Sequence, residues 1–317
     1  MRNDSDFRLM AAPLQGFTES PFRHFHAEIY GTGAMNVTYF SPFLRLEKGD
    51  VRPRDIREIS IPLNGNHQLI PQIIFKNPEE FTLLVDKIKF AGHTSIDLNM
   101  GCPFVPQVRK GRGAGMLSHP DVIEEIGNLM TEMPDITFSL KMRLGTNSPK
   151  EWQPLVDIIN RMPLEHVTIH PRTASQQYGG ELHTDEFSKF SNALIHPVIF
   201  NGDITTPSMI DSLRERHPSI KGIMAGRGLL MRPSLFNEWT ENREWSREER
   251  SEKLLQLHNA IFNHYRSTLT GGDAQVLSKI KPMWEYFGAD FDRKPVKKIL
   301  KANSLTNYTT AISSLTR

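Results

Sequence analysis

Cysteine is almost absent from this chain: Cys102 is the single one in 317 residues. One thiol excludes an intramolecular disulfide and leaves no set of thiolates from which to build a metal cluster. Long apolar runs are missing as well, and no stretch approaches the roughly 18 apolar residues that a membrane helix needs. Residues 1–6 are polar and charged where a secretion signal would need an apolar core, so a cytoplasmic protein with no membrane partner and no metal is expected. Charge of one sign is equally scarce. The 38 Lys and Arg face 36 Asp and Glu, and a net of +2 draws the chain to no particular partner.

What remains is ordinary globular material, 38% hydrophobic and 23% charged. The length suffices for one large barrel or sandwich with a small second unit. Charge is unevenly placed. Residues 243–317 carry 13 Lys and Arg against 8 Asp and Glu, which leaves residues 1–242 slightly acidic. An acidic body with a basic tail is the asymmetry to follow.

Short apolar runs recur at 7–12, 35–38, 69–75, 95–99, 137–143, 166–170, 198–201 and 222–225. Several are continuous, the pattern of parallel strands buried on both faces. Helix-like segments lie between most of them, at 78–90, 120–130, 152–161 and 207–216. Eight such alternations predict an α/β fold, a closed (β/α)8 TIM barrel. Residues 41–69 form a long polar insertion with no clear period. From about residue 243 the pattern becomes helical, with stretches at 248–266, 276–286, 294–301 and 309–315. We expect a barrel over residues 1–242 and a C-terminal all-α helical bundle over 243–317.

Nearly every expected strand ends on a polar residue or glycine: Pro13 with Leu14, then Gln72, Asn99, Lys141, His170, Asn201 and Gly226 with Arg227. Barrel active sites gather at those strand ends. Cys102 follows one of them in Asn99-Met100-Gly101-Cys102-Pro103, where glycine permits a tight turn and proline stiffens it. Free cysteines are usually buried small hydrophobes, but the flanking residues put this one on a loop at the barrel mouth. It could serve as a nucleophile, which wants a paired base, or as a general acid, which wants the neutral thiol. No partner histidine is evident nearby. Asn201-Gly202-Asp203 and Gly226-Arg227-Gly228 occupy the loop positions after strands seven and eight, where barrels of this kind frequently hold a phosphate. Lys141 would meet an anion there, or else pair with Asp97. His170 would hydrogen-bond a cofactor or cap structure.

The combined set resembles the dihydrouridine synthase family, FMN enzymes that reduce uridines in tRNA. The residues that carry the resemblance are the Asn99-to-Ala114 loop, Ala12-Pro13-Leu14, Gln72, Lys141-x-Arg143-Leu144-Gly145, His170-x-Arg172-Thr173, Tyr178, Asn201-Gly202-Asp203 and Gly226-Arg227-Gly228. It spans residues 9–236 clearly and the helical tail more loosely. It implies that FMN is held by Ala12, Pro13, Leu14, Gln72, Lys141, His170, Asn201, Gly202, Asp203, Gly226 and Arg227. It also implies that Asn99 and Tyr178 lie beside the uracil, and that Cys102 protonates C5 while hydride, supplied through FMN by NADPH, goes to C6. The chain would act as a monomer on tRNA. The sequence departs from the family in Leu14, where methionine is usual, in Phe104-Val105, and in the length of 41–69.

A base inside a stack must be flipped out to react, and the protein must recover that cost by gripping the rest of the RNA. Lys279, Lys281, Arg293, Lys294, Lys297, Lys298 and Lys301 are the expected grip, with Trp284, Tyr286 and Phe287 interleaved. Two rivals remain: an FMN barrel reductase of a small molecule, such as a dihydroorotate dehydrogenase or ene-reductase, and a non-catalytic RNA-binding barrel.

Overall fold

In the computed structural model, which describes residues 6–31, 36–60 and 63–315, nine strand segments run parallel in one sheet. The elements through the first part of the chain are β1 (Arg8–Ala11), α1 (Ser20–Tyr30), β2 (Val37–Phe40), β3 (Leu46–Glu47), β4 (Asp50–Val51), α2 (Pro53–Ile59), β5 (Gln68–Ile70), β6 (Gln72–Ile73), α3 (Pro78–Phe90) and β7 (Ser95–Met100). There follow α4 (Val105–Val108), α5 (Pro120–Thr131), β8 (Thr137–Gly145), α6 (Val156–Arg161), β9 (Leu164–Thr173), α7 (Thr184–Ala193), β10 (Val198–Asn201), α8 (Pro207–Arg216) and β11 (Gly222–Ala225).

The order across the sheet is β5-β2-β1-β11-β10-β9-β8-β7-β6, so its two ends are consecutive in the chain. Only Pro71 separates β5 from β6. A proline has no N–H to give a ladder, and here it splits one strand into two halves. The first half pairs with β2 and the second with β7, and Asp97 N donates to Pro71 O at 2.9 Å across the break. The sheet therefore closes into a barrel of eight strand positions, as the sequence predicts. Met35, at the start of the expected second strand, lies outside the described residues.

Proline at the first helical turn and a side-chain cap start α3 and α8: Asn77 accepts from Glu80 N and Thr206 from Met209 N. The helices bury Phe81, Leu84, Ile123, Ile126 and Ile210 against the strands, forming the main core. Met10, Phe40, Ile70, Ile199 and Met224 fill the barrel's interior below its mouth. Helices α1 and α7 lie outside the stretches read as helical in the sequence. The 41–69 insertion is built from a two-strand hairpin, β3 with β4, followed by α2. Lys48 and Gly49 at its tip both have positive φ (55° and 86°), the geometry of a two-residue hairpin turn. Arg23, fully buried, ties the insertion to α1 by donating to Thr18 O and Asn64 Oδ1 and pairing with Glu58.

After β11 come α9 (Arg227–Met231), α10 (Leu235–Glu241), α11 (Arg247–Thr268), α12 (Gly272–Ile280), α13 (Trp284–Phe287), α14 (Arg293–Lys301) and α15 (Leu305–Ser313). A capping box of Ser246 and Glu249 opens α11. These helices share a second core with Phe22 and Tyr30 of α1 and Leu230 of α9, so the tail packs directly on the barrel. Among the described residues no helix is long and apolar enough to cross a membrane, and no three His, Cys, Asp or Glu gather as a metal site.

Candidate active site

The strand ends converge on a cavity of about 350 Å³ at the C-terminal mouth of the barrel. Ala12, Pro13, Leu14, Asn99, Cys102, Lys141, His170, Tyr178, Asn201, Gly202, Asp203, Gly226 and Arg227 all line it. Gln72 does not. It is wholly buried one layer down, where its carboxamide donates to Asp97 Oδ2 and accepts from Asn99 Nδ2, each at 2.7 Å.

That buried pair places the thiol. With its amide nitrogen held by Gln72, Asn99 turns its oxygen to the backbone N–H groups of Gly101 (3.1 Å) and Cys102 (2.9 Å). On the other side Ala114 N donates to Cys102 O, and Gly113, at φ +58°, packs so close that a Cβ would fall 2.8 Å from both Cβ and O of Cys102. Arg143 locks the same turn from below, donating to Gly101 O at 2.9 Å and Thr173 O at 2.8 Å. Burial raises the Cys102 pKa above that of an ordinary thiol, against a smaller opposite pull from the Phe104 N–H, Arg143 and Lys141. The neutral thiol is thus the resting form, and no histidine within the described residues pairs with it.

Lys141 has a different problem. Its ammonium makes no hydrogen bond or ion pair among the described residues. Asp97, the possible partner, already accepts from Gln72 and from Ser139 Oγ at 2.7 Å, and burial raises its own pKa. Burial first, then repulsion from Arg143, pushes Lys141 down to about 8. An unpaired cation at a cavity wall is stabilised by an anion brought in from outside.

Beyond Lys141 lies a basic and glycine-lined corner. Asp203 receives a bidentate Arg172 and, at 2.8 Å, Arg227. Burial works against that carboxylate, but the two guanidiniums keep its pKa low. Gly202 sits at φ +149° with His170 and Leu182 where a Cβ would go, and a Cβ on Gly228 would fall 1.7 Å from Ile204 O. His170 is held neutral by burial and by the surrounding cations. A guanidinium can only donate, so the 3.3 Å approach of Arg172 Nη1 makes His170 Nε2 the acceptor and places the ring proton on Nδ1.

A match to the family model described as dihydrouridine synthase covers residues 10–309. The chain belongs to the dihydrouridine synthase family. A probable tRNA-dihydrouridine synthase of Staphylococcus aureus is 30% identical over 262 residues, covering 80% of this chain and 77% of that protein. tRNA-dihydrouridine synthase B of Escherichia coli is 29% identical, covering 73% and 70%. The fold alone is shared with a morphinone reductase variant solved with tetrahydroNAD, at 8% identity and TM-score 0.51, covering 75% of this chain and 87% of that one. It is shared too with TcOYE bound to pHBA, at 12% identity and TM-score 0.53, covering 75% and 90%.

Several residues of this family member's site carry no local sign in the sequence. Arg143 and Arg172 belong to matched motifs, but only the folded chain shows what they hold. Tyr178, half exposed, has guanidinium carbons of Arg227 and Arg143 at 4.9 and 5.5 Å from its ring centre. Pro42, Phe43 and Gln15 complete the rim.

The expected RNA grip divides. Lys279 is bound in an ion pair with Glu19 at 2.6 Å and Lys281 donates to Ala302 O, so both are engaged by partners within the protein. Arg293, Lys294, Lys297, Lys298 and Lys301 line one shallow depression along α14 and have no acidic partner among the described residues. The aromatics read as interleaved with them are mostly elsewhere. Trp284 and Phe287 are buried in the tail core, where Trp284 Nε1 donates to Tyr308 Oη, because those rings bury more apolar area inward than a stacked base would cover.

Proposed function

We propose that this chain is a flavin-dependent oxidoreductase, a tRNA-dihydrouridine synthase that saturates the C5–C6 bond of uridines in tRNA, working in the cytoplasm as a monomer. The observation that carries the reading is the shared cavity: a neutral, rigidly placed thiol and an unpaired ammonium line the same wall. The residues fit FMN. Gly202, Gly226 and Gly228 let the loops after β10 and β11 pack closely around this corner, and Arg227 at its edge would meet a phosphate. Lys141 suits the electron-rich end of an isoalloxazine ring, and Ala12, Pro13 and Leu14 offer it an apolar floor. Gln72 serves through Asn99.

When bound, FMN would supply hydride to C6 of the uracil after taking it from NADPH. The chain's own work is the rest. Tyr178 and Asn99 flank the place of the flipped base, and Cys102 gives its Sγ proton to C5 as an acid whose raised pKa keeps that proton available at neutral pH. The resulting thiolate is met by Arg143 and Lys141. The relatives named tRNA-dihydrouridine synthases, together with the unpaired cations of α14, support tRNA over a small molecule as substrate.

Cys102→Ala should bind FMN and accept electrons from NADPH as the wild type does, while dihydrouridine formation in tRNA, counted by nucleoside mass spectrometry, drops about 10²- to 10⁴-fold. Full turnover by that variant would refute the acid role.

A further inference from the structure

Two cavities meet at Cys102, and the proposed reaction uses only one. The second, about 410 Å³, lies between the loop after β7 and the hairpin segment of residues 43–54. It shares Gln15, Phe43, Cys102, Pro103 and Tyr178 with the first, so an occupant would sit directly beside whatever reaches the thiol.

Its lining has three features that the protein leaves unsatisfied. Arg45, Arg52 and Arg54 converge on it, and among the described residues their acidic partners are Glu47 and Asp55. Arg52 takes Asp55 bidentately at 2.8 and 2.9 Å, which leaves Arg54 at 3.7 Å from the same carboxylate and Arg45 at 3.8 Å from Glu47. Three cations on two acids call for another anion. Phe104 stands 59% exposed at the edge, a large ring with nothing over it. Gln107, only 4% exposed, lines the same cavity with a carboxamide oxygen that has no hydrogen-bond partner. Cations for a backbone and an aromatic face for a base are together how single-stranded nucleic acid is held.

The described part of the segment is tied down at two points. The tight turn at Lys48-Gly49 sets the hairpin, and Arg23 with Glu58 anchors α2 behind it. The three guanidiniums are therefore presented at set positions, which lowers the ordering cost of binding.

We propose that this cavity binds the nucleotide adjacent to the reacting uridine in unpaired RNA, its base on Phe104 and its phosphate among Arg45, Arg52 and Arg54. The proposal rests on the uridine-reducing reading of Cys102. It gives the 41–69 insertion a task, which is to recognise the neighbour of the base that is reduced.

The probe is a fluorescein-labelled pentaribonucleotide with uridine at its centre, set beside versions carrying an abasic ribose on one side or the other of that uridine. The FMN-loaded wild type should bind the intact strand about tenfold more tightly than one of the two abasic strands, the scale of one stacked base. Phe104→Ala should bind these two strands alike, and Arg54→Ala should weaken both by a similar factor. Both side chains are exposed, so each variant should keep the wild-type circular dichroism spectrum. No discrimination by the wild type, or undiminished discrimination by Phe104→Ala, overturns the proposal. Assaying dihydrouridine in tRNA with the same preparations separates the two ideas. A protein that discriminates without making dihydrouridine keeps this pocket and loses the enzymatic reading; one that makes dihydrouridine without discriminating loses the pocket alone.

Discussion

Lys141→Met separates a cation kept for a ligand from one kept for the fold. Methionine fills the same length without charge and adapts to irregular space. In the wild-type apoprotein the Lys141 pKa is about 8 in place of the ordinary 10.5, a gap that corresponds to at most about 3 kcal/mol against the charged form. Removing that charge should therefore leave the apoprotein at least as stable as the wild type, and up to a few degrees higher in Tm. FMN binding should move the opposite way. Without a charge-assisted hydrogen bond of about 1.5–3 kcal/mol it weakens about 10- to 150-fold.

The pH dependence follows with a definite sign. Between about 8 and 10.5 the unfolded chain holds more protons at this site than the folded apoprotein, so wild-type stability gains with rising pH across that window. The gain should vanish in Lys141→Met. FMN affinity runs the other way, flat below about pH 8 and falling above it as the ammonium is lost. Quenching of flavin fluorescence on titration with apoprotein between about pH 6.5 and 9.5, with calorimetry alongside, reads both quantities. A variant that melts lower and still binds FMN as the wild type does would refute the reasoning and make Lys141 a structural partner of Asp97.

Two further outcomes are expected. Gly113→Ala forces a methyl group against Cys102 in a backbone conformation at φ +58°, and a misplaced thiol should cost about 10²-fold in single-turnover uridine reduction with the bound-flavin spectrum unchanged. Replacing Lys294, Lys297 and Lys298 together with glutamine should flatten the salt dependence of tRNA binding by about 0.9 in the log–log slope for each phosphate no longer neutralised, and an unaltered slope in filter binding would remove α14 from the RNA interface.

The barrel was legible because its signals are local. Apolar residues at every second position mark β7 and β8, a continuous apolar run marks β10, and a capping residue before proline marks α3 and α8. The insertion was not legible, since its strands are two residues long and its anchor is a pair between Arg23 and Glu58, 35 residues apart. Gln72 shows the limit of a motif match: the residue is where the family pattern puts it, yet it reaches the cavity only through Asn99. Lys279 shows the limit of counting charge, because the acid that occupies it, Glu19, lies 260 residues away.

The two arginines on Asp203 carry this furthest. In the sequence both are arginines at a strand's functional end, and only Arg227 is expected there to meet the cofactor. In the fold Arg172 is buried and donates to Gly179 O at 3.0 Å and Gly180 O at 2.7 Å, so it clamps the loop that presents Tyr178. Arg227 has a third of its side chain exposed, hydrogen-bonds only Asp203 among the described residues, and faces the cavity under the same tyrosine. An incoming phosphate can draw on Arg227 without disturbing the loop, because Asp203 keeps its bidentate partner. The carboxylate between them thus prevents two adjacent guanidiniums from repelling each other before the ligand arrives. It also leaves the more exposed one available when the ligand comes.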